Sequence, residues 1–229
     1  MITEDGQMRD RVVVVGASGG IGRALADQAA ARGAVIRLSR PVIDVEDEAS
    51  IAAAAEAAGD GLSHVIVAAG LLHRGAQGPE RDWRQIDAEW MLESFKVNAV
   101  LPALVAKHFL PRLRRDSPSL FAVLTARVGS IGDNRLGGWH SYRAAKAAAN
   151  QQVRTLSVEL KRKNPLATIV ALHPGTVDTG MSKPFQRNVA AEKLFTPARS
   201  AAHLWVVMDG LGPADSGSFR AWDGSEIPW

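Results

Sequence analysis

The chain has 229 residues, 46% of them hydrophobic, and a formal net charge of +3; that is enough apolar sequence for a sizeable core, and one α/β unit accounts for the whole length. The absence of cysteine excludes disulfides, thiolate chemistry and cysteine-bound zinc, and the six histidines show no HExxH-like ligand spacing, so no metal site is expected. Basic residues are dispersed, with short clusters at Arg112–Arg115 and Lys161–Lys163 that fall at expected helix ends, where cations favour the negative pole of the dipole; no nucleic-acid partner is expected.

Residues 1–10 read as a polar, acidic tail without the apolar core of a signal peptide. RVVVVG (11–16) reads as a buried strand, GIGRALADQAAARG (20–33) as a helix closed by Gly33, and AVIRLS (34–39) as a second strand. A helix over 46–59, the strand HVIVAA (64–69) and a polar loop over 71–88 follow. A long helix is predicted over 88–114, bent at Pro102. Next come the strand SLFAVLT (119–125), a glycine-rich loop through Gly138, and a helix over 141–163 stopped by Pro165. The strand ATIVALHPG (167–175), a helix over 197–210 and the short strand SGSFRAW (216–222) complete the chain. Repeated strand–helix units imply a doubly wound parallel sheet with helices on both faces. No apolar run approaches the roughly 18 residues of a membrane span, so the expectation is a cytoplasmic chain without membrane contact.

VVVVGASGGIGRAL joins the first strand to the first helix through Gly16, Gly20 and Gly22. Glycines there permit a tight turn, close approach of backbone to a pyrophosphate, and close helix–strand packing, while the helix start favours negative charge. The spacing is G-x3-G-x-G rather than GxGxxG. Ser18 and Ile21 lie within this turn and belong to the expected cofactor contacts. The second strand ends Leu38-Ser39-Arg40-Pro41, with no acid before Asp44. An arginine there suits the extra phosphate of NADP and a carboxylate would suit the ribose of NAD, so NADP(H) is favoured over NAD(H). Asp44 is a candidate for the adenine amino group or simply an exposed loop carboxylate.

The only tyrosine, Tyr142, stands one helical turn before Lys146 in SYRAAK, so both side chains share a face. A phenol can donate a proton to a carbonyl oxygen as hydride reaches carbon, but its ordinary pKa of about 10 is poorly matched to neutral pH. A neighbouring ammonium favours the phenolate and is expected to lower that value.

Taken in order, GASGGIG (16–22), Asp44-Val45, Ala69-Gly70, Asn98 in KVNAV, Tyr142-Arg-Ala-Ala-Lys146, and Pro174-Gly175 followed by Thr179 resemble the short-chain dehydrogenase/reductase family along almost the whole chain. GSIGDNRLGGWHSYRAAK and the ending FRAWDGSEIPW are most similar to its small C-factor and carbonyl-reductase-like branch. The resemblance implies one Rossmann-type NAD(P)-binding and catalytic domain over 11–229. It implies that Tyr142 is the acid/base, that Lys146 assists it and holds the nicotinamide ribose, and that Asn98 anchors a water in a proton relay. Thr179 and the backbone near Val177 would hold the carboxamide beside Pro174 and Gly175, with Ala69 and Gly70 near the adenosine. The substrate would be a small carbonyl compound or alcohol. The helices over 88–114 and 141–163 would pair with a second copy in a homodimer or homotetramer, and Trp90, Met91, Phe95, Leu101, Leu104 and Val105 supply apolar surface for this.

Two positions depart from the family pattern. The serine that usually bonds the substrate oxygen is Ala126; Thr125 points to the opposite face, and Ser130 is the candidate replacement, or a turn hydroxyl. Ala68 stands where many relatives carry asparagine. Ala126 keeps open an alternative reading, a nucleotide-binding regulatory or interaction protein with weak or no catalysis. TGMSKPFQRNVAAEKLF (179–195) is expected to cover the substrate with Met181, Phe185, Leu194 and Phe195, helped by Trp139.

Overall fold

The computed structural model describes residues 10–75 and 77–229; residues 1–9 of the expected tail lie outside the described residues, and Asp10 already belongs to the sheet. Six parallel strands, β1 (Asp10–Val15), β2 (Gly33–Leu38), β3 (His64–Val67), β4 (Ser119–Leu124), β5 (Ala167–His173) and β8 (Ser218–Ala221), form a sheet ordered β2-β1-β3-β4-β5-β8. Val12–Val15 are wholly buried, as expected of a strand covered on both faces. Alternation sends Val12, Val14, Ile66 and Leu172 toward Leu25 of α1 (Gly20–Ala29) and Leu204 and Trp205 of α6 (Pro197–Asp209). It sends Val13, Val65, Phe121 and Ile169 toward Ile51 of α2 (Glu48–Ala58), Val105 and Phe109 of α4 (Leu101–Phe109), and Val153 of α5 (His140–Leu160). The doubly wound parallel architecture expected from the strand–helix alternation is therefore present.

Several boundaries differ from the sequence reading for identifiable reasons. Gly33 does not close α1; it opens β2 opposite Asp10, where a side chain would run into the Asp10 carbonyl. The expected 46–59 helix starts later because the Asp47 carboxylate accepts from Ala49 N–H at 3.1 Å and caps it. The long helix is interrupted. Between α3 (Ala88–Phe95) and α4, residues Lys96–Val100 form a π-helical turn in which Leu101 N–H donates to the Lys96 carbonyl. Pro102 has no N–H to offer the Asn98 carbonyl, so the α ladder is broken there. Trp90, Leu101 and Val105, expected on a pairing surface, are buried within the monomer, whereas Leu92, Val100 and Val158 are exposed. Two short strands, β6 (Thr176–Val177) and β7 (Leu194–Phe195), form a separate parallel pair. Among the described residues no helix is long and apolar enough to cross a membrane.

Candidate active site

The sheet changes winding direction between β1 and β3, and a crevice opens beyond their C-terminal ends. A cleft of about 550 Å³ occupies it. Gly16, Ser18, Gly20, Ile21 and Gly22 reach it from the first turn, Ser39, Arg40, Asp44 and Val45 from beyond β2, Ala69 and Gly70 from beyond β3, and Thr179 from the loop after β6. Glycine is required here by space. Gly16 has φ 86°, and a Cβ on it would lie 2.7 Å from Ala69 N. A Cβ on Gly20 would lie 2.8 Å from Thr179 Cγ2, and one on Gly22 would meet the Gly16 carbonyl. The N-cap of α1, Gly19, provides no side-chain cap, leaving first-turn N–H groups open to an anion. Ser18 N–H donates to Ser39 Oγ at 2.9 Å, binding the first turn to the end of β2. Arg40 is exposed on the rim and has no ion-pair partner among the described residues. The Asp44 carboxylate accepts from Glu46 N–H at 3.0 Å, so one oxygen is committed to its own loop.

Neither Tyr142 nor Lys146 lines this cleft; Lys146 lies behind Gly70, which does, and Tyr142 lies beside Lys146. Both are buried, at 8% and 3% exposure, and the Lys146 ammonium is 5.7 Å from the Tyr142 ring centre. Lys146 donates to the Leu124 carbonyl at 2.9 Å. Gly70 separates the cleft from the ammonium: a Cβ there would lie 3.7 Å from Lys146 Nζ and 3.3 Å from Asn98 Oδ1. On the other side Gly129 packs against the backbone and Cβ of Lys146. Burial lowers the Lys146 pKa from 10.5 to about 8 and pushes the Tyr142 phenol up. The expectation of a lowered phenol pKa is thus corrected. Without ligand, the desolvation of the anion outweighs the pull of the ammonium.

Asn98 is fully buried and differently engaged than expected. Its Oδ1 accepts from Leu71 N–H at 3.0 Å, and its Nδ2 donates to the carbonyls of Leu71 and Ser94 at 2.7 and 3.0 Å. The side chain therefore ties the loop beyond β3 to the π turn. Ala126 is extended, Thr125 Oγ1 is buried without a partner, and Ser130 Oγ accepts from Asp133 N–H at 3.1 Å. That bond leaves the Ser130 hydroxyl hydrogen free to donate. Pro174 accepts from Ser200 Oγ at 2.9 Å. Gly175, at φ 80°, lies against the Phe195 ring, and the Val177 carbonyl accepts from Ser182 Oγ.

The aromatic wall is only partly the one expected. Trp139 lies edge-on to Tyr142 and Phe185, with ring centres 6.2 and 5.2 Å away, and Phe185 also meets His73. Phe195 instead packs with His203 and Trp222 behind Gly175. Glu46, Arg74, Glu93 and Lys96 also line the cleft and were not legible as site residues. They form a chain of ion pairs, Arg74–Glu93 at 2.6 Å and Lys96 to Glu46 and Glu93 at 2.5 and 3.7 Å. Their only signal in the sequence is charge, on segments read as a helix start, a polar loop and a long helix. Among the described residues no cluster of three or more metal-ligating side chains occurs.

The sequence matches the family profile described as enoyl-(acyl carrier protein) reductase over residues 40–204. It is 34% identical over 190 residues to the short-chain dehydrogenase srdF of Neurospora crassa, covering 78% of this chain and 71% of that protein. It is 36% identical over 144 residues to C-signal of Myxococcus xanthus, covering 63% of this chain and 81% of that one. The NADPH-bound carbonyl reductase from chicken fatty liver superposes with a TM-score of 0.83 at 24% identity, over 97% of this chain and 96% of that one. The chain belongs to the short-chain dehydrogenase/reductase family. It is an oxidoreductase of the class that acts on CH–OH and carbonyl groups.

Proposed function

We propose that residues 11–229 form one catalytic domain that reduces a carbonyl compound to an alcohol with NADPH, or runs the reverse reaction. The observation carrying this reading is the buried Tyr142–Lys146 pair, with Lys146 behind Gly70 of a cleft in which backbone leaves no room for a side chain at Gly16 and Gly22. The open N–H groups at the start of α1 would hold the pyrophosphate, Arg40 the 2′-phosphate, and Lys146 the nicotinamide ribose. Thr179 and the backbone near Val177 would hold the carboxamide. Bound there, NADPH supplies the hydride.

The remaining chemistry belongs to the chain. As charge grows on the carbonyl oxygen, the Tyr142 hydroxyl donates its proton, and the ammonium of Lys146 stabilises the phenolate left behind. Burial raises the phenol pKa in the free protein, which opposes proton donation, so the positive charge of Lys146 is the group that offsets this cost as the proton leaves. Ser130 supplies a second donor to the same oxygen in place of Ala126, and Asn98 anchors a water in the relay through which Tyr142 is reprotonated. Trp139 and Phe185 offer ring surfaces to an apolar substrate.

A screen of carbonyl compounds by NADPH oxidation, run beside direct measurement of NADPH binding, tests the reading. A second reading, a nucleotide-binding regulatory protein, is favoured by Ala126 and by similarity to a protein named C-signal. NADPH binding without turnover of any carbonyl would select it. The exposed Leu92, Val100 and Val158 support self-association as a dimer or tetramer, which light scattering measures.

A further inference from the structure

Glu80 lies in the loop between β3 and α3, in a stretch the sequence presents as polar spacer, yet it is only 2% exposed. Its carboxylate oxygens accept from Ser141 N–H at 3.3 and 3.2 Å, and one of them also accepts the Ser141 hydroxyl. Its main-chain carbonyl accepts from Trp139 N–H at 2.5 Å. Ser141 is itself fully buried. None of the ion pairs among the described residues includes this carboxylate. Burying an unpaired carboxylate is unfavourable unless donors replace its water. Here the first turn of α5 does so with the hydroxyl and the N–H of Ser141, an N–H that has no partner inside the helix, aided by the positive end of the helix dipole.

The surrounding turn is built to receive this contact. Trp139, the residue before α5, has φ 54° and ψ 41°, the only positive φ on a non-glycine residue among those described. Gly138, at φ 64°, lies so close that a Cβ on it would stand 3.2 Å from the Glu80 carbonyl. Glu80 therefore fixes both the left-handed turn and the point at which α5 begins. The next residue after its partner Ser141 is Tyr142, and the ring of Trp139 stands edge-on to it. We infer that Glu80 is a positioning residue, which acts through Ser141 and Trp139 to set the Tyr142 hydroxyl against the substrate carbonyl. This rests on the reading of Tyr142 as proton donor.

The test compares Glu80→Ala, Glu80→Gln, Ser141→Ala and the double alanine variant. Glu80→Ala is expected to lower kcat by about 10²-fold, the cost of a misplacement of about 1 Å, with NADPH affinity unchanged. Glu80→Gln restores most of the rate, because its amide oxygen still accepts from Ser141. The double variant loses no more than Glu80→Ala alone, because the two residues act as a unit. Tyr142 is the only tyrosine, so selective isotope labelling gives a single ring signal that moves in Glu80→Ala even without substrate. Full kcat in Glu80→Ala, additive losses, or a glutamine variant as poor as alanine would overturn the inference. If Glu80→Ala does not fold, Ser141→Ala carries the same expectations for kcat and for the tyrosine signal. Should wild type bind NADPH but reduce no carbonyl, the proton-donor reading fails, and an unmoved tyrosine signal overturns the role of Glu80 on its own.

Discussion

Lys146 Nζ donates to the main-chain carbonyl of Leu124 at 2.9 Å, so the ammonium is moored to the end of β4 by a neutral acceptor and not by a carboxylate. Its charge is thereby left for whatever enters the cleft beside Gly70. The same arrangement makes the charge costly in the absence of ligand.

That cost has a pH signature. Burial lowers the folded pKa of Lys146 from 10.5 to about 8, so between these values the unfolded chain binds more protons and the stability of the free protein rises with pH. Below about pH 8 the ammonium is charged in both states and the full penalty is present. Lys146→Met removes a penalty of about 3 kcal/mol at neutral pH, less about 1 kcal/mol for the lost hydrogen bond. Denaturant unfolding should show the mutant more stable at pH 7 and its advantage gone by about pH 10.5. Carbonyl reduction in wild type should fall as pH rises through about 8, where the ammonium is lost. A wild type whose stability and rate are flat across this window would contradict the assignment.

Tyr142→Phe keeps the ring against Trp139 and deletes only the hydroxyl. Folding and NADPH binding should persist while carbonyl reduction drops by about 10²–10⁴-fold, the range of a lost general acid. Because burial raises the phenol pKa, ultraviolet titration of the free wild type should find no tyrosinate at pH 10. Phenolate absorption at that pH would show that the ammonium, not burial, controls the group.

Arg40 sits on the rim of the cleft beside Ser39, exposed and without an ion pair among the described residues. Reversing its charge in Arg40→Asp should weaken NADPH binding and narrow or reverse the preference over NADH. Calorimetric dissociation constants for both nucleotides give the answer, and an unchanged ratio would place the 2′-phosphate elsewhere.

In the proposed reaction Ser130 takes the place of the serine missing at Ala126. Ser130→Ala should lower turnover by about 10²–10³-fold, the cost of one preorganised donor, with NADPH affinity preserved. Ala126→Ser introduced into that background should recover part of the loss. An undiminished rate in the single mutant would confine Ser130 to its turn with Asp133.

The features legible in the sequence were those set by local geometry. The glycine turn could be read because Gly16, Gly20 and Gly22 leave no space for a side chain, and the Tyr142–Lys146 pair because helical spacing puts both on one face. Pro102 announced a disturbance but not its form, since a π turn depends on which carbonyl Leu101 reaches. Gly33 was misplaced because a glycine after a helix pattern looks the same whether it caps the helix or lets two strands approach. Glu80 was invisible: its partner Ser141 is 61 residues away, and nothing in a polar loop marks one carboxylate as buried. The phenol pKa was misjudged for the same reason, since burial is decided by the assembled core while the ammonium is visible in the helix register.

The β6–β7 ladder pairs Thr176 with Leu194 and Val177 with Phe195, so the stretch 178–193 leaves the scaffold and returns to it at one staple. Its ends are held by this ladder and by Ser182 Oγ on the Val177 carbonyl, and doubling the length of such a loop adds only about 0.6 kcal/mol of closure entropy. Beyond Thr179, which packs against Gly20, and Ser182, the stretch is therefore an exchangeable cassette. In the proposed reading, lengthening or resequencing it changes what the protein accepts while the six-stranded sheet and the glycine turn stay as they are, a route to new substrates that leaves the folding core untouched.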